Sequence, residues 1–294
     1  MLETTLYHPS GSQSPPLTCV SVSPSKDIVA VGTLDAQIIL FNTRTRKLRR
    51  SLKGHEKLVS SLMFLDGGDY LLSSSWDGTT KMWSSSKKFE ESYTLRHSTD
   101  IKVLAVDSTF SKGVAGTRDG LVKLFSLKKL TCIRNLQFHQ RDISGLAFYA
   151  GDTKLITTSW SGKCNLWDLS SYDLVETIFQ TDKRIRSLTV SPDDTKAALG
   201  LHDGTVVILD LIGDIKPQTL DGHNDVVGSL AFNPSDSTLL TSSWDTTIRL
   251  WSNDFSQYEE TKLPTGVTDI TWDQRGKKFF TSDFSGSLKC WTIS

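Results

Sequence analysis

Apolar and polar side chains alternate in short runs along the whole chain, and turn-forming residues separate the runs. Residues 59–64 alternate, and residues 66–69 (Asp-Gly-Gly-Asp) then reverse the chain. Residues 70–75 form a second apolar run, Asp77-Gly78 a second turn, and residues 79–83 a third run ending on Trp83. After the polar residues 84–88, residues 90–95 supply a fourth. A period of two marks half-buried strands, and Asp-Gly between apolar runs signals a hairpin because both residues tolerate positive φ. No segment carries an apolar stripe at helical spacing, so the chain reads as all-β.

This four-strand unit recurs. Its second turn falls at Asp35, Asp77, Asp119, Ser161, Asp203, Asp245 and Ser285, in steps of 42 and a last step of 40. Six residues later comes a large apolar side chain: Phe41, Trp83, Phe125, Trp167, Leu209, Trp251 and Trp291. The first turn also keeps time, with Pro24, Pro192 and Pro234 in phase. A period of about 40–45 residues predicts a β-propeller of four-stranded blades. Seven units of 42 fill all 294 residues, so residues 1–294 read as one seven-bladed domain. The last unit stops one strand short, whereas residues 2–6 look like the outer strands at 174–178 and 258–262. Residues 2–7 are therefore predicted as the outer strand of blade seven, closing the ring and removing an open seam.

Composition narrows the function classes. Lys plus Arg and Asp plus Glu are both 33, so no global field draws the protein to nucleic acid or an anionic membrane, which argues against direct nucleic-acid binding. No apolar run approaches a membrane span, and residues 1–10 lack the features of a signal peptide. Cys19, Cys132, Cys164 and Cys290 fall in different repeats without a CxxC pair, which points to a reducing compartment, cytosol or nucleus.

Gly54-His55 and Gly222-His223, with His97 and His139 in the same phase, precede the turn Asp and the third-strand Trp. His8 is the candidate for the first unit, ahead of a longer loop over residues 11–16. On these residues the whole chain resembles the WD40-repeat family. The resemblance implies a hydrogen-bonded set of His, turn Asp, second-strand Ser or Thr, and Trp. Blade two offers His55, Asp77 and Trp83 with Ser73 or Ser75; blade six offers His223, Asp245 and Trp251 with Thr241 or Ser243. Several units depart from this. Phe41 and Phe125 replace Trp, Ser161 and Ser285 replace Asp, and Thr181 and Leu263 take the His position. The Trp-Asp pair itself survives in place only as Trp167-Asp168.

Because these His and Asp residues repeat in phase, they read as structural, and no catalytic, metal-binding or cofactor-binding set is expected. No HExxH, GxSxG, P-loop or GxGxxG sequence is present. Function is expected from rim residues that break the pattern. Just before each turn stand Leu34, Trp76, Arg118, Trp160, His202, Trp244 and Phe284, and the resemblance puts this position on the face that receives peptides. The three Trp residues form either an apolar crown offered to a partner or indoles packed flat on neighbouring turns. Leu58, Asp100, Asp142, Arg184, Val226 and Gly266 begin the first strands; with Lys102, Arg118, Arg186 and His202 they give blades three to five a basic-leaning sector. Guanidinium groups suit carboxylate or phosphate recognition, so a partner segment with acidic and apolar side chains is expected across Trp160, Arg184 and Arg118. The function that follows is a non-enzymatic protein-interaction scaffold within a multiprotein complex. The alternatives are an adaptor of an RNA- or chromatin-associated complex and, with no supporting residues, a propeller enzyme.

Overall fold

The computed structural model describes residues 1–7, 15–129, 131–137, 139–213 and 216–293. His8 and most of the loop before Pro16 lie outside the described residues, as does any role for them. The fold is a seven-bladed β-propeller. Six blades run in sequence order, each an antiparallel four-stranded sheet; blade two, for example, comprises Val59–Leu65, Tyr70–Ser75, Thr79–Ser84 and Glu90–Arg96. The seventh combines Val267–Trp272, Lys278–Asp283 and Leu288–Thr292 with the first strand of the chain, Leu2–Tyr7. That strand pairs antiparallel with Leu288–Thr292, with Glu3 opposite Trp291 and Thr5 opposite Lys289. Each innermost strand packs on the next, and Val267–Trp272 packs on Leu17–Val22, so the ring is closed.

Strands buried on both faces explain the near-continuous apolar runs. Seven core clusters occur among the described residues, one between each successive pair of blades. Leu40 and Leu52 of blade one meet Leu62 and Trp83 of blade two, and Leu6 meets Phe41 and Leu288 at the closing junction. Outer strands face solvent: the first four residues of Leu48–Leu52 are exposed, and only Leu52 is buried.

Polar groups join the blades at their inner edges. Thr18 donates to the Val59 carbonyl and Ser60 to the Ile101 carbonyl, each reaching the following blade. Asp269 ties three blades, accepting from Ser229 Oγ of blade six and the Val20 amide of blade one. Among the described residues no helix is long and apolar enough to cross a membrane.

A tryptophan-lined channel mouth

One backbone hydrogen bond sets the rim of each blade. The residue before the turn donates its amide to the carbonyl of the residue leading into the first strand: Trp76 to Leu58, Arg118 to Asp100, Trp160 to Asp142, His202 to Arg184, Trp244 to Val226, Phe284 to Gly266, and Leu34 to Pro16. The sequence period thereby becomes a circle of side chains on one face.

Six of the rim residues singled out in the sequence converge on one cavity of about 350 Å³: Trp76, Trp160, Trp244, Phe284, Lys102 and Arg186. The three indoles come from alternate blades and are half-buried, while Phe284 is 42 % exposed. Trp244 and Phe284 meet edge to face, with centroids 5.5 Å apart, leaving the indole neither free nor laid flat. Lys102 bridges the other two, its ammonium 4.0 Å from the Trp76 centroid and 5.1 Å from that of Trp160. Below, a channel of about 240 Å³ runs between the innermost strands of all seven blades.

Leu34 and Leu58 line the cavity too, whereas Arg118, Arg184 and His202 take outer positions. Arg118 turns to Asp100, 3.2 Å away, and Arg184 stacks its guanidinium 5.5 Å from the Trp160 centroid. His202 lies edge-on to Trp244 at 6.2 Å. The structure thus brings Trp160 and Arg184 together, while Arg118 is committed to a carboxylate. Asp142, named above among the residues leading into the first strands, also lines the cavity and pairs with Lys102 at 3.1 Å. The channel-mouth column reads Thr18, Ser60, Lys102, Ser144, Arg186, Gly228 and Thr268, so two long cations interrupt a ring of small residues. Gly228 leaves room for Trp244: a Cβ there would lie 3.3 Å from the indole nitrogen.

The imidazole networks lie outside this cavity. In blade two, His55 Nδ1 is 2.9 Å from Asp77 and Nε2 is 2.8 Å from Ser73 Oγ, which also accepts from Trp83 Nε1 at 2.9 Å. Blade six repeats this with His223, Asp245, Thr241 and Trp251. Ser73 and Thr241 are thus the hydroxyls used; Ser75 and Ser243 instead cap the turn, each accepting the amide two residues on. Burial opposes ionisation of Asp77, yet hydrogen bonds from His55, Thr79 and the Glu56 amide hold its carboxyl well below the usual range.

Where the sequence departs, the set is incomplete. Blade three has Ala115 at the hydroxyl position and Phe125 for Trp, and His97 bonds Thr80 instead, at 3.0 Å. Blade four keeps His139, Thr157 and Trp167, but with Ser161 for Asp the buried His139 Nδ1 has no partner among the described residues. Burial, aided by Lys123 and Lys163 respectively, pushes His97 and His139 down to about 4. Between about pH 6.5 and 4 the unfolded chain therefore binds protons that the folded one refuses, and stability falls with acid, by up to roughly 3 kcal/mol per group. Ser161→Asp supplies the missing acceptor. It is expected to add about 1 kcal/mol at neutral pH and to lessen the acid loss, since a nearby carboxylate raises an imidazole pKa. Urea melts at neutral and mildly acidic pH check this; equal or lower stability at both would refute the partner argument.

Among the described residues no group of three or more His, Cys, Asp or Glu side chains could hold a metal ion. The WD domain, G-beta repeat profile matches residues 3–42, 46–84, 130–168, 216–252 and 259–292, more than half of the chain. The chain is 27 % identical to periodic tryptophan protein 2 of Arabidopsis thaliana over 72 % of its own length and 24 % of that protein's. It is 24 % identical to guanine nucleotide-binding protein subunit beta-1 of Nicotiana tabacum, over 80 % of its own length and 69 % of the relative's. With pre-mRNA-processing factor 19 homolog 2 of Arabidopsis thaliana it shares 25 % identity over 67 % of its length and 39 % of that protein's. The chain thus spans only about a quarter to two-fifths of two of these proteins. Five matched repeats on a closed seven-bladed ring establish that this chain belongs to the WD40-repeat family.

Proposed function

We propose that this propeller is a non-enzymatic scaffold, a subunit of a multiprotein assembly that grips an extended partner segment at its tryptophan-lined channel mouth. One observation carries the reading: indoles from blades two, four and six converge on a single cavity and keep part of their surface in solvent. Partly exposed Trp is enriched at binding hot spots, and a closed ring presents it with little reorganisation on binding. The name of one relative, a guanine nucleotide-binding protein subunit, is in keeping with work inside an assembly. Four free thiols, three of them buried, fit a reducing cytosol or nucleus. Affinity capture compares the wild type with the Trp76→Ala/Trp160→Ala/Trp244→Ala variant and with Gln274→Ala, an exposed change outside this cavity. The triple variant is expected to weaken capture by about a hundredfold, from roughly 2 kcal/mol or more per hot-spot residue with incomplete additivity, and Gln274→Ala to leave it intact. Partners retained by all three proteins would refute the site.

A specific observation favours a second reading, an adaptor in an RNA-associated complex. Arg44, Arg46, Lys47, Arg49, Arg50 and Lys53 crowd the outer edge of blade one, all exposed, with no acidic residue from 36 to 55. Of the six, only Arg44 forms an ion pair among the described residues, with Asp27 at 3.5 Å. Global neutrality conceals this strip. If its five unpaired cations contact single-stranded RNA, the log–log salt dependence of oligouridine binding has a slope of about −3.5. A flat dependence excludes direct contact.

A further inference from the structure

Resting on the reading of the channel mouth as a partner site, we propose that its ligand is a peptide segment bearing one carboxylate beside a large apolar side chain. The carboxylate docks on Arg186 at the cavity floor and the apolar group on Trp244 and Phe284.

The ring balances one of its two floor cations and leaves the other. Lys102 reaches forward to the residue leading into the next blade, Asp142; the two side chains are 13 % and 16 % exposed. The same step forward from Arg186 arrives at Val226, which is apolar and 2 % exposed. Arg186 accordingly makes no hydrogen bond or ion pair within 4 Å to any described residue, although it is half-buried and lines both the cavity and the channel below. Asp269 attracts it from deeper in the channel, but that carboxylate already accepts from the Val20 and Ile270 amides and Ser229 Oγ. Burial pushes the Arg186 guanidinium and the Lys102 ammonium down, each opposed by its neighbouring carboxylate. A guanidinium cannot shed its proton to escape this cost, so an anion that enters the cavity relieves it.

The chemistry of the anion follows from the neighbours. Planar guanidinium matches a carboxylate in two parallel hydrogen bonds. Asp142 and Asp269 nearby disfavour a dianion, which sets a carboxylate above a phosphate. The apolar requirement comes from the far wall: Lys102 occupies the faces of Trp76 and Trp160, whereas among the described residues no cation lies over Trp244 or Phe284.

The test selects a phage-displayed library of random short peptides on the wild-type protein and measures synthetic copies of the enriched peptides by fluorescence anisotropy. The enriched sequences are expected to share Asp or Glu beside a large apolar residue. Exchanging that Glu for Gln, or Asp for Asn, should weaken binding to the wild type by about tenfold and make little difference to Arg186→Gln. Val226→Asp gives the guanidinium an internal partner and should weaken the same peptides with the cation still present; should it fail to fold, Arg186→Gln decides alone. Copies with free and amidated C-termini distinguish a terminal carboxylate from a side chain. The inference is overturned if acid and amide peptides bind alike, if Arg186→Gln discriminates as the wild type does, or if inorganic phosphate displaces the peptides beyond its ionic strength. Peptides held equally by the triple Trp variant overturn the site itself, and a library yielding no binder counts against both.

Discussion

Removal of residues 1–7 is expected to cost about 4 kcal/mol or more. Among the described residues the strand Leu2–Tyr7 alone covers the edge of Leu288–Thr292, so its loss leaves blade seven three-stranded and the edge unpaired. Leu6 is buried among Leu17, Phe41 and Leu288, a contribution of roughly 2–3 kcal/mol. Tyr7 packs on Phe41 with centroids 5.0 Å apart, adding about 1 kcal/mol, and Glu3 pairs with Lys289 at 2.9 Å. The entropy of ordering the strand offsets part of the sum. Leu6→Ala alone should cost about 2–4 kcal/mol, whereas Leu2→Ala, at a side chain 70 % exposed, should stay within about 0.5 kcal/mol. Denaturant melts rank the three; a truncated protein as stable as the full chain would show that the ring is held elsewhere.

Asp77→Ala is expected to cost about 3 kcal/mol. The Asp77 carboxylate accepts from His55 Nδ1, the Glu56 amide, the Thr79 amide and Thr79 Oγ1, and its removal leaves a buried imidazole and two amides short of an acceptor. Asp119→Ala removes the residue in the same column of blade three, where the carboxylate is exposed and, among the described residues, accepts only from Thr117. That change should cost less than about 1 kcal/mol. Equal losses from the two would mean that the column position, not the network, confers the stability.

The contrast shows what a repeat makes legible. The turn column, the second-strand column and the large apolar third-strand residue are fixed by period, so ring and closure can be read from spacing, and the resemblance to the family adds the hydrogen-bonded sets. Choosing between Ser73 and Ser75 needed depth as well: both point to one side of the strand, but the inner hydroxyl meets the imidazole and the outer one caps the turn. The rim was legible as a list and not as a site. Arg118 and Lys102 both read as free basic residues until Asp100 and Asp142, each leading into a strand, are brought beside them. The run of cations at 44–53 was plain in the sequence, yet an even global balance hid it.

Contact of partner segments with the indoles of the channel mouth is reported by the eight tryptophans of the chain. Trp83, Trp167, Trp251 and Trp291 hold their indole N–H groups in buried hydrogen bonds to second-strand hydroxyls, and Trp272 bonds the Ala231 carbonyl. Trp76, Trp160 and Trp244 line the cavity. In a titration of nitrogen-15-labelled protein with a captured segment, followed by NMR, the indole signals of these three are expected to shift while the other five stay. A shift at Trp272, with Trp76, Trp160 and Trp244 unmoved, would contradict that contact.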